Sequence, residues 1–392
     1  MTGGDVRGSG IVAGLRRSSD KDACGTNPSP YPLPQGEGED NRGARRLLFH
    51  RPFARLLACL FLLLVAACGA MVQPMGASNG TPRLEADAVI AADGYRLPLR
   101  HWGPVDKPRA VVLALHGFNE YGRAFDDPAR FWGQLGIATY AYDQRGFGDT
   151  AGRGIWPGAE TLAADAATAL QLLEARYPGV PVYLLGESMG GAVAILAATG
   201  PDHPPMAGLI LSAPATWGRQ SMDTIPRVAL WLTRRLIPAM TFTGRSLGVQ
   251  ASDNVPMLMA LGRDPLYIRA TRVDTIDGLV YLMGRGSDAA AEISQPTLVL
   301  LGEHEQVLAP ASVNLLLRRL PRRSDLVVAS YSRGWHWLLR DIGRRTPQRD
   351  VADWMLHPGP GLPSGAERRG EARRAVADGA VVGSEQQASG GP

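Results

Sequence analysis

Residues Pro181 to Gly191, Pro-Val-Tyr-Leu-Leu-Gly-Glu-Ser-Met-Gly-Gly, constrain this chain more than any other segment. A short apolar run leads straight into Gly-x-Ser-x-Gly, and small residues from Ala192 to Ala198 follow without a break. A chain satisfies that pattern by ending a buried strand in a turn so tight that only glycine fits beside the serine, then starting a helix. Such a turn lifts the Ser188 hydroxyl out of the sheet. It also aims the helix N-terminus, with its free N–H groups and dipole, at developing negative charge. Gly-x-Ser-x-Gly alone recurs by chance in ordinary turns; the strand before it and the helix after it make it specific.

The surrounding sequence supplies more elements of the same kind. Ala86–Ala91 and Tyr95–Trp102 flank Asp93-Gly94, a hairpin signal. Ala110–Leu115, Ile137–Tyr142, Val182–Leu185, Leu209–Ser212, Thr297–Leu301 and Leu326–Ser330 read as strands, most of them apolar on both faces, as parallel strands under helices must be. Thr161–Tyr177 and Ala311–Leu320 are amphipathic helices between them, the second opened by Pro310. The alternation predicts a doubly wound, mostly parallel α/β sheet. It breaks once, over about 214–293, where a mostly helical stretch carries Trp217, Met222, Trp231, Met240, Phe242, Met257, Met259, Tyr281 and Met283. This reads as an inserted helical cap whose large side chains mostly pack its own core. The globular part spans 83–356, and Gly, Pro, Ser, Ala and Arg dominate 357–392, which reads as a disordered tail.

Upstream, residues 1–44 show no hydrophobic periodicity and read as a disordered leader. Residues 45–68 carry Arg45, Arg46, Arg51 and Arg55, then an apolar run beginning at Leu56, then Val65-Ala66-Ala67-Cys68. Basic residues, a leucine-rich run and small residues in that order form a secretory signal. The final tetrad resembles the lipobox of bacterial lipoproteins, which implies lipidation at Cys68, export and a membrane tether in a bacterial cell envelope. An uncleaved anchor, plain secretion and a buried helix remain alternatives; the apolar run is slightly short of the ~20 residues that span a bilayer. The three cysteines, Cys24, Cys59 and Cys68, all lie upstream of the globular part, so no disulfide framework or cysteine metal site is expected there. A net charge of +4 over 392 residues, with arginines clustered near both ends, does not call for a nucleic-acid partner. No cofactor or metal is implied, since no His/Asp/Glu cluster has metalloprotease spacing and the Asp143–Gly148 loop lacks phosphate-binding spacing. Asp143 and Arg145 are expected to brace neighbouring loops.

A serine hydroxyl needs a base to become a good nucleophile. The strand–turn–helix around Ser188 resembles the nucleophile elbow of α/β-hydrolases, in which acid and base follow in that chain order and the base lies after the last strand. His336, in Tyr331-Ser-Arg-Gly-Trp-His336, occupies that position. The acid belongs in Gly302-Glu-His-Glu-Gln306, where Glu305 has the better spacing and Glu303 is the alternative; His304 is expected to face solvent. Two backbone N–H groups must meet the oxyanion. Met189, after the nucleophile, supplies one, and Phe118, in His116-Gly117-Phe118, the other, with His116 packed as a shaping residue rather than a base.

Together, His116-Gly117-Phe118, Asp143 to Gly148, Gly186-Glu-Ser188-Met-Gly190-Gly and Gly334-Trp-His336 resemble the monoglyceride lipase and lysophospholipase group of the α/β-hydrolase superfamily, over roughly Val89 to Leu356. The resemblance implies a Ser188, Glu305, His336 triad, although the group usually carries aspartate as the acid. It also implies cleavage of small or lipid esters with one acyl chain, and an apolar acyl channel in the cap that pliable methionines suit. Glu120 is a candidate contact for a polar head such as glycerol. An amidase or aminopeptidase on the same triad, and a hydrolase-like binding protein without turnover, are the alternatives.

Overall fold

A computed structural model describes residues 69–201, 203–244 and 248–388, with side chains to residue 379. The expected leader, and the signal or lipobox segment with Cys68, lie outside the described residues. The strands are β1 (Arg83–Leu84), β2 (Ala88–Ile90), β3 (Arg96–Trp102), β4 (Ala110–Leu115), β5 (Ile137–Tyr142), β6 (Val182–Glu187), β7 (Gly208–Ser212), β8 (Thr241–Phe242), β9 (Thr271–Arg272), β10 (Thr297–Gly302) and β11 (Leu326–Tyr331). Nine of them form one sheet in the order β1-β2-β3-β5-β4-β6-β7-β10-β11. From β5 to β11 all neighbours are parallel, while β1, β2 and β3 add an antiparallel edge. Asp93-Gly94 makes the expected turn between β2 and β3, Gly94 taking φ 76°.

The helices are α1 (Asp126–Gln134), α2 (Ala159–Arg176), α3 (Met189–Thr199), α4 (Thr224–Leu236), α5 (Val255–Arg263), α6 (Val273–Ala289), α7 (Pro310–Arg319), α8 (Arg345–Leu356) and α9 (Ala366–Ala388). They cover both faces of the sheet, which is why its strands carry apolar residues without alternation. Along β4, Val111, Leu113 and Leu115 point into one apolar cluster with α2, α3 and α6, and Ala110, Val112 and Ala114 into another with Trp132 of α1 and Trp354 of α8. Strands of period two, each buried twice, therefore hold two cores apart.

The insertion divides into two parts. Helix α6 belongs to the main core: Val280, Leu282 and Met283 are buried there, and a Cβ at Gly286 would lie 3.0 Å from that of Ala192 in α3. Helix α4 buries no residue fully, and Trp231, Met240, Phe242, Met259 and Tyr281 are exposed. The expectation that these side chains mostly fill a cap core thus fails for five of the nine: Trp231 on α4, Met240 and Phe242 at β8, Met259 on α5 and Tyr281 on the outer side of α6 all face outward among the described residues. A two-stranded β8–β9 ribbon, absent from the sequence reading, joins the parts.

The tail also differs from expectation. Residues from Ala366 form helix α9, which lies along edge strand β11 rather than remaining disordered. Gly370 sits so close to the Val328 carbonyl that no Cβ would fit, Ala366 and Ala377 are fully buried, and Arg369 Nε donates to the Ser330 carbonyl at 3.0 Å. An edge strand exposes unpaired backbone groups, and α9 covers them with alanine, glycine and arginine. At the other end of the globular part, residues 71–80 are tied down in sequence order. Met71 N–H donates to Asp274 (3.0 Å), Gln73 to the Trp156 carbonyl (2.8 Å), Met75 to Thr161 (3.2 Å) and Gly76 to Asp93 (2.9 Å).

Candidate active site

The elbow forms where β6 gives way to α3. Ser188 has φ 54° and ψ −116°, a conformation that costs about 1–3 kcal/mol for a residue with a side chain. Its neighbours impose it. Ser188 N–H donates to the Ser212 carbonyl at 3.0 Å, and its carbonyl accepts from Gly191 and Ala215 at 2.9 Å each. A Cβ at Gly186 would strike the Gly190 carbonyl, and one at Gly190 would strike the Leu115 carbonyl of β4. The glycines are thus required by close backbone approach, and the partly buried serine is presented at the carboxyl end of the central strands, where open α/β sheets bind ligands.

His336 comes from the loop after β11 and reaches that hydroxyl: Nε2 lies 2.9 Å from Ser188 Oγ, and Nδ1 lies 2.7 Å from Glu305 Oε2. An ionised carboxylate can only accept, so Nδ1 carries the ring proton and Nε2 is left as the acceptor for the serine hydroxyl. Glu305 is fixed in turn, its Oε1 accepting from Val307 (2.6 Å) and Leu308 (2.9 Å). Burial alone would push this carboxyl up, but the bonds from His336 and those two N–H groups outweigh it and hold Glu305 below the usual glutamate range. Glu303, the alternative acid, instead accepts from Ser330 Oγ at 3.3 Å and lies 3.8 Å from Arg369. His304 is exposed and stacks on Trp335, centroids 5.2 Å apart. The acid and base loops are in close contact, since a Cβ at Gly302 would lie 2.5 Å from the Gly334 carbonyl.

The loop after β4 flanks the serine, an ideal Cβ at Gly117 lying 3.5 Å from that of Ser188. Buried His116 has both ring nitrogens engaged away from Ser188. Its Nε2 accepts from Gln144 N–H (2.9 Å), so Nδ1 carries the proton and donates to the Gly117 carbonyl (2.8 Å); burial keeps its pKa low and the ring neutral. Because a trans peptide sets C=O and N–H on opposite sides, this bond turns the Phe118 N–H away from His116. Among the described residues, neither the Phe118 nor the Met189 N–H has a backbone or side-chain acceptor. Asp143 braces the same region, accepting from Gly122 and Asp149 (2.9 Å each) and from Arg100, while Arg145 bonds Asp93 and Asp165.

Glu120 is placed differently from an open head-group contact. It is buried, and both its oxygens accept from Arg340, at 2.5 and 3.0 Å. It forms part of the wall of a cavity of about 610 Å³, with Met257, Leu261, Leu266, Arg123 and Arg344 around it. Arg340 also bonds Glu187, the residue before the nucleophile. The sequence reading missed both Arg340 and Glu187. The available signal was a carboxylate inside an otherwise apolar strand, which demands a buried cation.

A nucleophile elbow, a histidine after the last strand and an acid after the preceding one, on a mostly parallel sheet with an inserted cap, define an α/β-hydrolase of the serine-hydrolase class. A family model described as Hydrolase_4, serine aminopeptidase S33, matches residues 106–343, and the chain belongs to that family. Among curated relatives, mouse monoglyceride lipase is 28% identical over 291 residues, 73% of this chain and 95% of its own. Monoacylglycerol lipase of Mycolicibacterium smegmatis is 24% identical over 267 residues, 67% of this chain and 94% of its own. In fold, a soluble variant of monoglyceride lipase from Saccharomyces cerevisiae superposes with a TM-score of 0.58 at 19% identity, over 72% of this chain and 97% of that one. The family match ends before α8 and α9.

Proposed function

We propose that this protein cleaves carboxylic esters, chiefly lipids with a single acyl chain of the monoacylglycerol or lysophospholipid type, through an acyl-enzyme on Ser188. The observation that carries the reading is the unbroken chain from Ser188 Oγ through His336 to Glu305, at 2.9 and 2.7 Å, beside two uncommitted N–H groups. His336 Nε2 takes the hydroxyl proton as Oγ attacks the ester carbonyl, and Glu305 stabilises the imidazolium. The Phe118 and Met189 N–H groups receive the oxyanion, each donor being worth about 3 kcal/mol at this step. On collapse, the alcohol leaves with the proton from Nε2; water then adds by the same route and releases the carboxylic acid and free Ser188.

The names of the mouse and mycobacterial relatives favour a monoacylglycerol. The cavity beside Glu120 has none of Ser188, Glu305 and His336 in its wall, so it does not itself carry the choice of ester. Ser188→Ala is the test: hydrolysis of acyl esters and labelling by a fluorophosphonate probe are both expected to vanish in a protein that still folds, and retained turnover would reject the mechanism. A second reading, cleavage of aminoacyl amides by the same groups, is favoured by the description of the matched family. Acyl esters compared with aminoacyl anilides by kcat/KM separate the two. We further infer export and tethering to a bacterial membrane through lipid on Cys68, on the strength of the Val65–Cys68 tetrad. Labelled palmitate should enter the wild-type chain and not Cys68→Ala.

A further inference from the structure

Three loops must keep register for the proposed reaction: the oxyanion loop with Phe118, the elbow with Ser188 and the base loop with His336. One side chain touches all three. Arg340, four residues after His336, is buried, and its fork donates to both oxygens of Glu120 and to Oε1 of Glu187. Glu120 follows Phe118 by two positions, and Glu187 directly precedes Ser188. Arg340 is itself anchored. Its N–H donates to the Trp337 carbonyl (2.8 Å), its carbonyl accepts from Asn254 of the insertion (2.8 Å), and its guanidinium lies 4.6 Å from the Trp337 ring centroid.

We propose that Arg340 is a positioning residue of the hydrolytic reaction, setting the Phe118 N–H and the Ser188 elbow against His336 through its shared bonds to Glu120 and Glu187. The proposal rests on the triad reading above. A planar fork can hold two carboxylates at fixed angles, which a single ammonium cannot. The charge placement agrees. Two carboxylates share one guanidinium, Glu187 Oε2 and Arg340 Nε have no partner among the described residues, and burial together with Glu120 pushes the Glu187 carboxyl up to about 7 against the pull of Arg340 and His336. Other titratable groups feel the cluster too: the Tyr267 phenol, from the insertion, is raised by burial and by Glu120, and His116 and Asp341, each shifted mainly by burial, are pulled the opposite way by Glu120 and Arg340 respectively. Burying so much charge for stability alone is a poor exchange, since well-packed apolar residues generally do as well. Fixed geometry at the reacting atoms is what such a cluster supplies.

The test compares Arg340→Lys and Arg340→Met with wild type, using kcat and KM on a soluble acyl ester, the rate of fluorophosphonate labelling and a thermal melt. With Arg340→Lys, which keeps the charge and loses the fork, kcat should drop about tenfold or more while KM stays within about threefold; with Arg340→Met the drop should approach about 100-fold. Labelling should slow in parallel. Wild-type kcat in folded Arg340→Lys, or a change confined to KM or to the melt, would overturn the proposal; if Arg340→Met does not fold, Arg340→Lys decides. A wild-type protein that is neither labelled nor active would instead sink the triad reading, and the positioning role with it.

Discussion

The two halves of the inserted segment obey opposite rules. Helix α6 is part of the hydrolase core, with Leu282 fully buried and Gly278 packed so closely on the Trp156 ring that a Cβ would overlap it. Helix α4, reached from the same connection after β7, exposes Ile225 to 83% and Trp231 to 53% and contributes only partly buried residues such as Leu230 to the core. Both carry apolar residues at helical spacing. The difference shows that such spacing identifies a face and not its partner: α6 turns its face to α3, and α4 leaves much of its own open. The insertion thus combines one structural helix, α6, with two surface helices, α4 and α5, neither of which buries a residue fully. Arg234 of α4 and Arg219 both pair with Asp277 of α6, a polar hinge between the two.

That contrast can be broken or sharpened by substitution, beginning with the largest effect. Ser188→Ala, which changes no packing, should lower kcat on the order of 10⁶-fold with an unaltered melt. Glu305→Ala should lower kcat on the order of 10⁴-fold, whereas Glu303→Ala should leave it within about twofold; the reverse order would reassign the acid. Gly370→Val forces a side chain into the Val328 carbonyl and should destabilise the fold by about 1–3 kcal/mol in denaturant melts, while Ile225→Ser on α4 should stay within about 0.5 kcal/mol. A large loss at Ile225 would show that α4 is packed after all.

A further pair concerns pH and substrate form. Burial raises the Asp341 carboxyl to about 6 from 3.8, despite bonds from Ser252 and the Trp335 N–H. Between those values the native state holds more protons than the unfolded chain, so this group makes stability fall as pH rises through the window. Asp341→Asn can keep both partners by turning its amide nitrogen to Ser252, and its melting temperature should therefore rise relative to wild type from pH 4 to about 6. The smallest effect is expected from Trp231→Ser: an unchanged melt, unchanged turnover of a soluble short-chain ester, and reduced turnover of a dispersed long-chain monoacylglycerol.

Much of the fold was legible because doubly buried parallel strands write themselves as apolar runs. Every strand expected from Ala110 to Ser330 appears within two residues of its predicted ends, and Pro310 opens α7 as expected. The elbow and the two loops that meet it were legible because a fixed chain order links them to particular strands. Helix α9 was not: Gly370 and Gly379 interrupt a run whose alanines, glutamates and arginines are otherwise good helix formers, and its burial depends on an edge strand no local pattern reveals. The Arg340 cluster was hidden for a similar reason, its bonds spanning 220 and 153 residues. Pairing over such distances leaves no spacing to read.

Under the proposed lipidation of Cys68, the stitched segment 71–80 would limit where catalysis takes place. Should Cys68 carry acyl chains, only Gly69 and Ala70 separate it from Met71, which is seated on Asp274, a reach of roughly 10 Å even when fully stretched. An enzyme on so short a leash cannot wander into the surrounding fluid to find its ester. It would work the lipid layer that holds it, like a grazing animal staked at one spot, and depend on lateral diffusion to bring the next molecule within range.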